Sequence, residues 1–347
     1  MMLRLIRFGL SAGVLAGALS AGALPVPDDI DKAIDRGLEY LVGAQKEDGS
    51  FNGRYGETAA LPALAGMACL SKGYAPTDKK YSKLINGAID YILAHHDDTG
   101  YFGVEGNGKM YAHAIATLFL SEVSGMVDSE RQAKIDKLLP LATKVILDAQ
   151  AVPKDARQAG GWRYTPDARD SDTSCSGWCL MALRSARLNG ARFSNLAITR
   201  AVAYMHRHHH QQKGCFGYQS ADQYAVTLSG AGILCLELCG RHNDPDSLSA
   251  AKFLMSVYKT EMERQEYKFY GMYYASQGLF QIGGENWKEF SEWMYSNWLP
   301  KQRADGSWRG HGGEDSPVYS TAMMILAFTV PYRQLPIYQR DETVDEI

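Results

Sequence analysis

Several groups in this chain have types and spacings suited to chemistry. Asp170-Ser171-Asp172-Thr173-Ser174 places two carboxylates directly before an apolar stretch. A carboxyl group at Asp172 would serve as a proton donor if its surroundings kept it protonated. The competing reading is that Asp172 or Thr173 caps the helix that follows. A second set is Tyr111, His113, Tyr224, Tyr273, Tyr274 and Tyr319. Gathered around one pocket, tyrosine faces would bind an apolar chain and stabilise cations. Dispersed, they would be core residues with each hydroxyl hydrogen-bonded. His113 would either act in that pocket or be a satisfied core histidine. The third set is His206, His208, His209 and His210. Imidazoles suit transition metals. With no Cys or carboxylate matched to them nearby in sequence, they read instead as a solvated helix C-terminus. No metal and no other cofactor is expected.

Cys69, Cys175, Cys179, Cys215, Cys235 and Cys239 are the six cysteines. Cys175/Cys179 and Cys235/Cys239 are each four apart within helical patterns, so each pair shares a helix face. They read as small buried thiols, with bridges between neighbouring helices as the alternative. A zinc site is disfavoured because no C-x-x-C pair is present.

The elements that would position these groups recur about every 50 residues along the chain. Each unit is a helical segment, a Gly/aromatic turn and a second helical segment. The first segments carry charge around a single apolar stripe, as at 31–44, and read as outer helices. The second segments are apolar all round and rich in Ala, Gly and Ser, as at 59–70 and 227–238, and read as inner helices. Six such hairpins closing on themselves make an all-α fold, an α/α toroid. An open α-solenoid is the alternative. The turns carry a motif: Gln45, Asp48, Gly49 and Phe51 in QKEDGSF, and Gln302, Asp305, Gly306 and Trp308 in QRADGSW. GGWRY, with Trp162, and GCFGY are weaker copies. Asp and Gly build the turn, the aromatic packs beneath it, and Gln bonds exposed backbone at helix ends.

These turns resemble the Q-x-x-D-G-S-W pattern of the terpenoid cyclase and protein prenyltransferase superfamily, the prenyltransferase and squalene oxidase repeat. The resemblance implies a toroid related to squalene-hopene cyclases. It also implies chemistries that can be checked against the residues. Squalene-type cyclases protonate an alkene with the middle Asp of D-x-D-D. Asp170-Ser171-Asp172-Thr173 aligns Asp172 with that acid but lacks the final Asp. Those cyclases also build their cavity between two helical domains, and this chain supplies one. Prenyltransferase β-subunits hold zinc through D-x-C and Y-H-T-C. Here Asp222-Gln223-Tyr224 lacks the Cys, and Tyr319-Ser320-Thr321-Ala322 lacks the His. Complement-type thioester toroids need Cys-Gly-Glu-Gln. Cys215-Phe216-Gly217-Tyr218-Gln219 does not supply it. The diphosphate-binding D-D-x-x-D is also missing, since Asp97-Asp98-Thr99-Gly100-Tyr101 ends in Tyr.

The chain has 347 residues, 46% of them hydrophobic, and a net charge of −3. That composition excludes wholesale disorder and disfavours a nucleic-acid partner. Residues 1–23 carry Arg4 and Arg7, then an uncharged Leu/Ala/Gly run, then Ala21-Gly22-Ala23. They read as a signal peptide cleaved near Ala23, which makes the protein exported, periplasmic or extracellular. No other segment reads as a membrane span. The toroid is expected over 24–333 and a polar surface tail over 334–347. Three functions follow. One is a cyclase-like toroid with a Tyr-lined pocket for an isoprenoid or other lipid, catalytic through Asp172 if at all. Another is a non-catalytic binder of lipid, peptide or protein, whose protein partner the sequence does not name. The last is a carbohydrate-active barrel, which needs two carboxylates facing each other at about 5–10 Å. Glu57, Asp172, Asp222, Glu314 and Asp315 are its candidates.

Overall fold

The computed structural model describes residues 27–339 apart from 55, 57, 105 and 107. The segment read as a signal peptide, the last residues of the tail and Glu57 lie outside the described residues.

Among the described residues, twelve α-helices alternate between an outer and an inner ring. The outer helices are α1 (Pro27–Ala44), α3 (Ser82–Ala94), α5 (Ser129–Ala151), α7 (Leu196–Arg207), α9 (Pro245–Glu261) and α11 (Gly284–Trp298). The inner helices are α2 (Ala60–Ser71), α4 (Lys109–Val123), α6 (Thr173–Leu188), α8 (Val226–Leu238), α10 (Lys268–Ile282) and α12 (Pro317–Phe328). Each inner helix packs on the next, and α12 packs on α2. The ring is therefore closed, and the open solenoid is excluded. The fold is an α/α toroid.

Burial explains the two rings. In α1 the buried side chains Ile30, Ile34, Leu38 and Leu41 follow one stripe, and charge covers the rest. In α8 every residue is buried, so a helix apolar all round has neighbours on all sides. Small residues set how close those neighbours come. A Cβ on Gly230 would lie 2.5 Å from the Ala275 backbone nitrogen, so α8 and α10 meet backbone to backbone. Full burial of each Leu, Ile or Phe in this core contributes about 1.5–3 kcal/mol.

The turn motifs rivet one hairpin to the next. Gln45 Nε2 donates to Gly49 O (3.2 Å) in its own turn and to Leu84 O (3.0 Å) in α3. Gln302 Nε2 donates to Gly306 O (2.8 Å) and to Ala33 O (2.7 Å), tying the sixth hairpin to α1. Asp48 and Asp305 accept the N–H of Ser50 and Ser307 to shape the turns. Gly49 (φ +88°) and Gly306 (φ +87°) occupy the left-handed region. A Cβ on Gly49 would lie 2.0 Å from Gly87 O, and one on Gly306 would lie 2.3 Å from Arg36 O. A third copy was hidden in the sequence. Gln150 Nε2 donates to Gly160 O (2.8 Å) and Ala197 O (2.9 Å), so GGWRY is completed by a Gln ten residues upstream. Phe51, Trp162 and Trp308 are buried beneath their turns.

Four expectations are refined. A short antiparallel hairpin, β1 (His209–His210) and β2 (Cys215–Phe216), occupies the fourth turn. His208 and His209 are buried, so this stretch is not a solvated helix end. All six cysteines are free, buried thiols. The tail does not begin on the surface, because Leu335, Ile337 and Tyr338 are buried. They cover the C-terminal ends of the inner helices. Ile337 N–H donates to Glu122 Oε2 (3.2 Å), and Gln281 Nε2 donates to Tyr338 O (3.0 Å).

Candidate functional site: an aromatic cavity at the inner-helix N-termini

The opposite end of the ring, where the inner helices begin, encloses a cavity of about 780 Å³. The first turns of these helices supply its wall: Leu61, Tyr111, Ser174, Thr227, Tyr270 and Tyr319. One turn deeper, Leu64, Ile115 and Trp178 form an apolar floor. The preceding loops add Tyr164, Tyr218 and Tyr267. Among the described residues, six tyrosines and one tryptophan thus surround the space. Arg54, Lys109, Gln223, Gln265 and Glu266 also line it. Arg54, Lys109 and Glu266 are exposed, so the mouth is polar and the floor is not.

The structure separates the tyrosines and histidine read as pocket residues into wall and interior. Tyr111 and Tyr319 line the cavity. Tyr273 and Tyr274 do not; they are buried behind Trp178, whose ring stacks on Tyr273 at 5.4 Å. Their helix starts at Lys268, so its cavity-facing residue is Tyr270, one turn earlier. Tyr224 is 42% exposed on the β1–β2 side, edge-on to His210. His113 is fully buried behind the wall. Its Nδ1 accepts the Phe102 N–H (3.2 Å), and its Nε2 lies 3.0 Å from Ala142 O. Burial pushes its pKa down to about 4.

Asp172 is the N-cap of α6. Its Oδ1 accepts the Cys175 N–H at 2.7 Å, and its Oδ2 pairs with Arg163 at 3.1 Å. It is fully buried and is not among the cavity-lining residues. Burial pushes its pKa up to about 6, while the Cys175 N–H and the Arg163 guanidinium pull the other way. Arg163 also donates to the Tyr218 hydroxyl (3.1 Å) and lies over the Tyr164 ring at 4.1 Å. The Tyr164 and Tyr218 hydroxyls bond to each other. Asp172 therefore anchors, through Arg163, the pair of tyrosines at the cavity edge.

Two described carboxylates line the cavity. Glu314 is buried and accepts the N–H groups of Phe269 (3.0 Å) and Tyr270 (2.8 Å) at the start of α10. Burial pushes its pKa up to about 7 against those two bonds. Glu266 accepts the Gly313 N–H at 3.1 Å, which places it on the same side as Glu314. Asp222 is 94% exposed, and Asp315 is exposed and paired with Arg309.

Sequence reasoning missed Trp178, Tyr164, Tyr218, Tyr267 and Tyr270. For Trp178 and Tyr270 the signal was present. Counting from each inner-helix start, the third residue reaches the cavity in α4, α10 and α12, and position 178 lies one turn below Ser174.

No protein-family model matches the chain, and no curated protein matches it. Solved structures do resemble it. The type II terpene cyclase MstE from Scytonema has a TM-score of 0.58 at 14% identity, covering 90% of this chain and 100% of that one. The GH76A α-1,6-mannanase of Salegentibacter sp. HEL1_6 has a TM-score of 0.62 at 14% identity, covering 86% and 98%. A GH8 xylanase from Teredinibacter turnerae has a TM-score of 0.53 at 11% identity, covering 91% and 95%. MstE has been captured with geranylgeranyl dihydroxybenzoate as substrate and with merosterolic acid A as product. The mannanase has been captured with α-1,6-mannotriose. At these identities the likeness is one of fold, the α/α toroid, shared by terpenoid and polysaccharide enzymes.

Proposed function

We propose that this chain is an exported terpenoid-cyclase-like toroid that holds an isoprenoid or similar lipid chain in its central cavity. One observation carries the reading. The cavity has an apolar floor of Leu64, Ile115 and Trp178 beneath a collar of six described tyrosines, with the exposed charges of Arg54, Lys109 and Glu266 at its mouth and the buried carboxyl of Glu314 in its wall. Its volume falls in the range of about 300–1,000 Å³ usual for small-molecule sites. An apolar chain would displace water from the floor, and its polar end would stay at the mouth with Arg54, Lys109 and Gln265.

The reading is one of holding, with no alkene protonation assigned to Asp172. An alkene is a very weak base, so its proton donor must be a strong acid that reaches the double bond. Both Asp172 oxygens are already engaged, one by a helix N–H and one by Arg163, and the wall at that point is made by neighbouring residues. A glycosidase reading would need two carboxylates across the cavity. The two described carboxylates that line it share one side and bond to backbone N–H groups.

The test is titration of the folded chain with a polyprenyl lipid, followed by tryptophan fluorescence. Saturable binding is expected in the native chain. It should be lost in Leu64→Arg, which puts a charge on the floor, and weakened in Tyr319→Ala at the collar. A native chain that takes up no lipid, or folded variants that bind as well as it does, would overturn the reading.

A further inference from the structure

Away from the cavity, the C-terminal end of α7 meets the N-terminal end of α9. His206 comes from the first, and Asp244 and Asp246 from the second. Its Nε2 lies 3.5 Å from Asp244 Oδ2, and its Nδ1 lies 2.8 Å from Asp246 Oδ2. The other oxygen of Asp246 lies 3.0 Å from Nδ1 of His209, a buried residue of β1.

A neutral imidazole carries one N–H and one lone pair. Here each nitrogen of His206 faces a carboxylate oxygen. In the neutral ring one of those contacts is therefore acceptor against acceptor, whichever tautomer is present. An imidazolium would donate to both carboxylates; in the neutral ring with its proton on Nδ1, Nδ1–H donates to Asp246 while the Nε2 lone pair faces Asp244, and a cation between them is the partner this arrangement favours. The spacing fits a metal. Two ligands each about 2.1 Å from a tetrahedral zinc ion are about 3.4 Å apart, and His206 Nε2 and Asp244 Oδ2 are 3.5 Å apart. His206, Asp244 and Asp246 each offer a ligand atom within 4.8 Å of the others. The site can be reached, since the His206 side chain is 38% exposed, while the two Asp side chains are 12% and 15% exposed and held in place.

We infer that His206 Nε2 and Asp244 bind a divalent transition-metal ion, with Asp246 orienting the ring through Nδ1, and that zinc is the best match to these nitrogen and oxygen donors. The site joins two consecutive outer helices at the base of the β1–β2 hairpin. The far side of that hairpin carries Tyr218 and Gln223 to the cavity. A metal there acts as a clip that fixes this wall. The inference stands apart from the lipid reading and fails or holds independently of it.

The experiment is zinc titration of the full folded chain, stripped of metal by chelator, against a chromophoric competitor, with thermal unfolding recorded alongside. One equivalent of zinc is expected to bind and to raise the Tm. His206→Ala and Asp244→Asn should each weaken binding by about tenfold or more, and Asn at 244 keeps the helix cap so that the fold survives. His210→Ala, outside the cluster, should bind as the native chain does. Absence of zinc binding by the native chain, or equal affinity in the cluster variants, would overturn the assignment.

Discussion

His113 Nδ1 accepts the backbone N–H of Phe102 at 3.2 Å. The same relationship recurs around the ring. Ser176 Oγ accepts from Trp162 N–H (2.9 Å), Thr321 Oγ1 from Trp308 N–H (3.0 Å) and Ser229 Oγ from Phe216 N–H (3.4 Å). Four of the six inner helices thus place one polar side chain against the backbone of the aromatic that ends the turn before them. His113 is the second hairpin's version of that peg. It is longer than a hydroxyl, so it also reaches Ala142 O in α5.

His113→Ala should therefore cost about 2–4 kcal/mol of stability, from a lost buried ring and two orphaned backbone groups. Lipid uptake by the folded fraction should be unchanged. Urea unfolding and ligand titration on the same preparation check both. A loss of binding without loss of stability would return His113 to the site.

His113 also has a pH signature. Its folded pKa is depressed to about 4 from 6.5. The unfolded chain takes up the proton first, so the contribution is full above pH 6.5 and is lost as pH falls toward 4. Glu122, buried and bonded to Ser185 and Ile337, runs the other way. Burial pushes its pKa up to about 7 from 4.5. Its contribution is full below pH 4.5 and declines as pH rises through 7, by roughly 3 kcal/mol in total. Glu122→Gln should flatten the decline between pH 4.5 and 7 in a stability profile, and a decline that persists unchanged would place it on another group.

Asp172→Ala should destabilise by about 2–4 kcal/mol, since it removes the α6 cap and leaves Arg163 without its buried partner. Asp172→Asn, which can still cap, should lose less. Thermal unfolding of the two variants side by side gives the order, and the reverse order would contradict the capping role.

Gly49→Ala and Gly306→Ala should each cost about 2–3 kcal/mol or more, because each combines positive φ with a clash against a neighbouring outer helix. Gly190→Ala is the comparison. Its φ is +91°, but a Cβ there would meet nothing within 4 Å. It should show the backbone strain without the clash, and so a smaller loss in chemical denaturation.

The fold was legible because its signal repeats. Six alternations of amphipathic and wholly apolar helices, punctuated by Gly/aromatic turns, admit few arrangements, and the motif glutamines rivet consecutive hairpins. The site was legible only in part. Tyr111 and Tyr319 sit at the first turn of their helices, where the repeat points inward. Tyr273 and Tyr274 were misplaced because they lie one turn past Tyr270 on α10, and about 100° per residue turns a wall residue into a core one. Tyr164, Tyr218 and Tyr267 sit on loops, whose course no periodicity encodes. The pairing of His206 with Asp244 and Asp246 joins residues some forty positions apart, beyond the reach of local spacing.

The most direct test of the central claim is incubation of the folded chain from Leu24 onward with squalene. Asp172→Asn is run beside it, and both retained lipid and products are read by mass spectrometry. The account predicts unreacted squalene retained by both proteins and no cyclised product from either. A cyclised product that disappears in Asp172→Asn would make Asp172 the acid of a single-toroid cyclase. Failure of both folded proteins to retain any lipid would remove the binding function itself.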